Sequence, residues 1–161
     1  MKYYIKGKMI SLHNRFYVYD ETGKQVYEIS SKAVSFGAKT TLYEMNGQKH
    51  AYVEERILHL LSHYDIYIED QMICSIAQKV KLFKPSYKLT NGYSVDGNIF
   101  GFHFNVVDPN GKTMASIKRK AISLADQYEI EIFDEKQELL ALAILIAISN
   151  DILQEAQNNL Q

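Results

Sequence analysis

Cysteine, proline and tryptophan are nearly missing from this chain: one, two and none in 161 residues. The single cysteine, Cys74, excludes an intrachain disulfide and fits a reducing compartment. It lies in the apolar stretch Met72-Ile73-Cys74-Ser75-Ile76, where packing is expected rather than chemistry. The opening residues, MKYYIKGKM, hold no apolar signal region, so a cytoplasmic protein is expected. No glycine-rich loop leads into a helix, because Gly92, Gly97 and Gly101 fall at turn-like positions; a phosphate cradle is therefore not expected. The formal net charge is −1, which by itself points to neither nucleic acid nor membrane. Long apolar runs are missing too, with one exception.

The exception is Leu139 to Ile148, which reads LLALAILIAI. Leu and Ala are strong helix formers, and a helix apolar on every side must be buried on every side. Ten helical residues rise about 15 Å, against a hydrocarbon core about 30 Å thick. The flanks are acidic: Asp134, Glu135 and Glu138 before, Asp151 and Glu155 after, with Lys136 the nearby base. No transmembrane segment is expected; the rest of the chain should surround the run, and Ser149 to Gln161 should form a polar, helix-compatible tail.

What precedes the run reads as strands. Residues 3–5 and 9–12 resemble short strands broken at Gly7, and Phe16-Tyr17-Val18-Tyr19 leads through Asp20-Glu21-Thr22-Gly23 to Val26–Ile29. Thr40 to Met45 meets Asn46-Gly47, the dipeptide best suited to a two-residue hairpin, and His50 to Ile57 should return. Residues 54–63, EERILHLLSH, read as extended. Tyr64, Ile66 and Ile68 alternate with polar neighbours, and Asn91-Gly92 and Asp96-Gly97 mark further turns. Asp126, Glu129 and Glu131 are expected to face solvent.

A motif recurs. Phe16, Val18, Asp20, Gly23, Val26, Ile29 has counterparts in Phe102, Phe104, Val106, Asp108, Gly111, Met114, Ile117 and in Tyr128, Ile130, Ile132, Asp134, Gln137, Leu140, Ala143. Tyr64, Ile66, Ile68, Asp70, Ile73, Ile76 forms a copy with a shorter turn. The unit is an alternating strand, an Asp-led turn and a second element; in the last copy the second element has become the apolar helix. About 136 residues precede that helix, enough for around twelve strands at about 11 residues each. The expected fold is mostly β: a closed antiparallel barrel with the helix as its plug, where Ala141, Ala143 and Ala147 allow close approach.

The segments Gly97-Asn98-Ile99-Phe100-Gly101-Phe102, Phe104-x-Val106-x-Asp108-x-x-Gly111-x-x-Met114-Ala115-x-Ile117-x-Arg119-Lys120, Asp126-x-Tyr128 and Leu140-Ala141-Leu142-Ala143 resemble the LURP-one-related family. That family is grouped with the tubby C-terminal domain and the phospholipid scramblases. The resemblance covers nearly the whole chain. It implies a single domain over residues 1–161, a twelve-stranded barrel around a central C-terminal helix, and it specifies no chemistry. The acidic, calcium-associated segment of scramblases is not matched by Ser149-Asn150-Asp151, and the phosphoinositide-binding residues of tubby find no matching positions.

Charge is unevenly spread: net 0 over residues 1–71, +6 over 72–120 and −7 over 121–161. Lys79, Lys81, Lys84 and Lys88, with Lys118, Arg119 and Lys120, are candidates for a face that attracts anionic phospholipid headgroups, where each base contributes about 1 kcal/mol near a charged membrane. Their plainer role is to keep exposed strands soluble. His59 and His63 have the i, i+4 spacing of helical metal ligands, but no carboxylate or cysteine completes a set, and no metal or other cofactor is expected. No acid–base or nucleophile constellation appears, so catalysis is not expected. The leading expectation is a cytoplasmic binding module, peripheral to an anionic membrane; the alternative is a protein-interaction or structural scaffold without a small ligand. Nucleic acid is not an expected partner.

Overall fold

The computed structural model describes residues 1–6, 15–34, 37–58, 60–79, 85–122 and 125–160. These form twelve strands: β1 (Lys2–Lys6), β2 (Arg15–Tyr19), β3 (Gln25–Val34), β4 (Gly37–Glu44), β5 (Lys49–Glu55) and β6 (His63–Ile68), then β7 (Gln71–Lys79), β8 (Ser86–Leu89), β9 (Ser94–Asn98), β10 (His103–Val107), β11 (Thr113–Ile122) and β12 (Ala125–Ile132). A short 3₁₀ turn, Glu135–Gln137, leads into one helix, α1 (Glu138–Asn158). Each strand pairs antiparallel with the next, and β1 closes the barrel on β12, with Tyr3 opposite Ile130. Closure leaves no sheet edge exposed.

Side-chain alternation decides which residues face the helix. Phe104 and Val106 of β10 are buried while His103 and Asn105 between them face out. Tyr64 and Ile66, Ile130 and Ile132, and Ile5 and Val18 point inward in the same way. Leu140 to Ile148 lie inside this wall, none more than 4% exposed. By length and composition the helix could cross a membrane; here it fills the barrel instead. It also runs further than the apolar stretch, to Asn158, with Ile152 and Leu153 still buried.

Polar bonds fix both ends of the plug. The end with the tight turns is called the turn end, the other the far end. At the turn end the hydroxyls of Tyr3 and Tyr27 both donate to Glu138 Oε1, at 2.6 and 2.7 Å. Toward the far end Asn150 Nδ2 donates to Thr40 Oγ1 at 3.0 Å, Gln154 Nε2 to Glu55 Oε1 at 2.6 Å, and the Tyr87 hydroxyl to Asp151 Oδ2.

Asp20 and Asp108 explain their turns. Each Oδ1 accepts two backbone N–H groups, from Thr22 and Lys24 in one case and from Asn110 and Lys112 in the other. Asp134 accepts the N–H of Lys136 and caps the 3₁₀ turn. The shorter β6–β7 turn differs: Glu69 and Asp70 both take positive φ, 48° and 62°.

Three expectations need correction, and one falls outside the described residues. Asp96-Gly97 is not a turn; both residues lie within β9, and the bend follows at residues 99–102. Residues 54–63 are not continuously extended: β5 ends at Glu55 and β6 begins at His63, with a loop between. Glu129 does not face solvent; it is 8% exposed and held by Lys120, while Asp126 pairs with Arg119. The strand expected at 9–12 lies outside the described residues.

Asp151 gives the fold a dependence on pH. It is 1% exposed. Burial, the largest influence, lifts its carboxyl above the usual range; bonds from Ser62 and Tyr87 pull the other way, and Glu155 and Glu55 add to the rise. A raised carboxyl means that the folded chain keeps a proton which the unfolded chain has already released. Stability should therefore fall as pH rises from the ordinary carboxylate range toward the folded-state value, and stay lower above it. Asp151→Asn, which keeps an acceptor for Tyr87, is expected to flatten that fall and to be the more stable protein at neutral pH. Urea midpoints for both proteins from pH 4 to 8 measure this, and parallel curves would show that Asp151 does not titrate as argued.

Candidate functional site

The far end holds most of the expected lipid-contacting residues, though not as one patch. Lys79 closes β7 and Lys88 lies on β8; Lys79 is opposite Ser86 and Lys88 opposite Ala77, so the two are diagonal neighbours on the outer surface. Lys118 and Lys120 face out from β11, three strands further round, about 14 Å by ordinary strand spacing. Asp96, Asn98 and Asn105 occupy outward positions between the two groups. Arg119 points to the opposite side of its strand from its neighbours and binds Asp126 through Nε and Nη2, at 3.0 and 2.9 Å. Lys120 is engaged by Glu129. Lys81 and Lys84 lie outside the described residues, as does His59.

The same end carries a feature that the extended reading of 54–63 concealed. The loop between β5 and β6 exposes Ile57, Leu58, Leu60 and Leu61; Leu58 is 95% exposed and Leu60 fully so. The backbone around the loop is fixed. Arg56 N–H donates to His63 O at 2.8 Å and Gln78 N–H to Ser62 O at 3.0 Å. Arg56 also binds Asp65, which is buried and accepts Ser75 Oγ at 2.6 Å. Continuing the β6–β7 register, in which His63 faces Ala77, places Lys79 beside Leu61. An available signal was compositional: four large apolar residues in five, flanked by Arg56 and His63, without strand alternation.

At the turn end the mouth of the barrel is not filled. A cavity of about 400 Å³ opens between the start of α1 and strands β3, β5, β6 and β7. Ile68, Ile73, Leu139 and Leu140 supply apolar walls, and Tyr27, His50 and Glu138 supply polar groups. The Tyr27 ring makes T-shaped contacts with both Tyr3 and His50, each centroid 6.2 Å away. Burial raises the phenols of Tyr3 and Tyr27 above their usual range, and the carboxylate of Glu138 adds to this. His50 Nδ1 lies 2.5 Å from Glu69 Oε1, with Glu44 3.4 Å from Nε2; the Glu69 bond is the largest of the effects that raise the imidazole. The positive φ angles of the β6–β7 turn carry Glu69 toward His50 and Asp70 toward Lys49. No sequence motif announces this site, because its residues come from six separate elements.

Burial pushes the Cys74 thiol up to about 11, so at neutral pH it stays protonated and packs as an apolar group. Among the described residues, no three His, Cys, Asp or Glu side chains gather so as to hold a metal ion.

The LURP-one-related family description matches residues 1–149. The chain belongs to the LURP-one-related family. Another similar sequence is the uncharacterized protein YxjI of Bacillus subtilis (strain 168), 25% identical over 146 residues that make up 90% of each chain. The X-ray structure of an Arabidopsis thaliana protein superposes with a TM-score of 0.59 over 94% of this chain and 91% of that one; at 12% identity it speaks for the fold alone.

Proposed function

We propose that this LURP-one-related barrel is a non-catalytic module that docks by its far end on the anionic, cytoplasmic face of a membrane. The observation that carries the reading is the β5–β6 loop, where Leu58 and Leu60 stand almost wholly in water and the β6–β7 register brings Lys79 next to the neighbouring Leu61. Exposed leucines have no use in the fold, yet each gains about 1.5–3 kcal/mol when fully taken out of water. Lysines at headgroup level add electrostatic attraction that salt weakens. Because α1 is committed to the core, attachment is by surface and is reversible.

Co-sedimentation with phosphatidylserine-containing vesicles tests the reading. Binding is expected in low salt, weaker binding in 1 M salt, and little to vesicles of phosphatidylcholine alone. The double variant Leu58→Glu, Leu60→Glu should lose at least about tenfold in affinity with its thermal transition unchanged, since both side chains are exposed. Failure of the unaltered protein to sediment in low salt, or unchanged binding by the double variant, overturns it.

A further inference from the structure

We propose that the turn-end cavity is a binding site for a small organic cation, an ammonium group on a short hydrocarbon chain. The site is distinct from the far-end surface and independent of it, because the barrel lies between them.

Size comes first. About 400 Å³ is within the range of roughly 300–1,000 Å³ that small-molecule sites occupy. The walls set the body of the ligand. Ile68, Ile73, Leu139 and Leu140 give a hydrocarbon chain an apolar surface, and Ile73 is held at the rim, 41% exposed. Tyr27 adds an aromatic side chain to the lining.

Charge sets the head. Glu135 and Glu138 line the cavity, and Lys136 is the lysine that opposes them. The charge on His50 is already met by Glu69 and Glu44. The start of α1 contributes about half a positive charge, too little to reverse the balance of carboxylates. Glu138 is fixed in place by the two phenols that share its Oε1, so an incoming ammonium meets a carboxylate that needs no reorganisation. An anion entering the same space would lie beside two carboxylates. A bare metal ion would want several oxygens around one point, whereas here apolar side chains form much of the wall.

The test is a ¹⁵N NMR titration of the intact protein with hexylammonium chloride at constant ionic strength, with hexanoate and hexanol as parallel probes. Saturable shifts are expected at His50, Ile73 and Leu139, with Leu58 at the far end unmoved, and weaker or no binding of the other two probes. Ile73→Trp, which fills the cavity from a partly exposed rim position, should weaken hexylammonium by about tenfold or more. Glu135→Gln, at an exposed position, should weaken it by about two- to fivefold. Absence of saturable shifts, hexanoate or hexanol binding as tightly as hexylammonium, or unchanged affinity in Ile73→Trp overturns the proposal. No vesicle enters the titration, so this site and the membrane surface stand or fall separately.

Discussion

Ile144→Asp is expected to yield no folded protein. Ile144 is fully buried in the first half of α1, inside the barrel. Its loss as an apolar group would cost about 2–5 kcal/mol, and an unpaired carboxylate in its place several more. A domain of this kind has about 5–15 kcal/mol in total. Expression should give insoluble protein, or soluble protein without a cooperative urea transition. Ile144→Val, losing one methylene, should cost only about 0.5–1.5 kcal/mol and fold normally. A soluble, cooperatively unfolding Ile144→Asp would mean that the helix is not the core.

The second large effect is expected at Gly97, the last residue but one of β9. Its φ is +136°, a conformation that side chains rarely adopt, and a Cβ there would lie 2.6 Å from the carbonyl oxygen of His103 and 2.7 Å from Phe104 Cα. Both are backbone atoms of the neighbouring strand, so neither can swing aside. Gly97→Ala combines backbone strain with overpacking, together about 2–6 kcal/mol, read as a shift in the urea midpoint at constant slope. Gly23→Ala is the matched control: φ is +83° there too, but nothing lies within 4 Å of the added carbon. It should cost only the strain. Equal losses at the two positions would show that strand proximity at Gly97 is irrelevant.

Gly97 also marks where sequence reasoning reached its limit. Next to Asp96 it resembles a turn signal, and only the three-dimensional approach of β10 explains why glycine stands there. Strands such as His103 to Val107 were easy to read for one reason: alternation is dictated by one dry face and one wet one, so it is written into consecutive residues. The plug was legible because ten apolar residues in a row admit few environments. The candidate sites were harder. Lys118, Arg119 and Lys120 form one basic cluster in the sequence, yet pleating sends Arg119 to Asp126 and the others outward. The exposed leucines were hidden by their own hydrophobicity, which in a list of residues looks the same as core. The turn-end cavity had no local signal at all, since Tyr27, His50, Ile73 and Glu138 meet only when the barrel closes.

The order of strands has a consequence for how the chain reaches this state. Neighbours in the barrel are neighbours in sequence, so each hairpin can zip as it becomes available, but the ring is sealed by β1 on β12 and the interior is filled by the last element. Until α1 arrives, the inward-facing Ile5, Val18, Tyr64 and Phe104 have nothing to pack on. Tyr3 meets Glu138 across 135 positions of sequence, a closure that local contacts cannot hasten. During synthesis a nearly complete sheet would therefore wait, with its oily side open, for the residues of α1, and that interval is when the chain is most prone to aggregate.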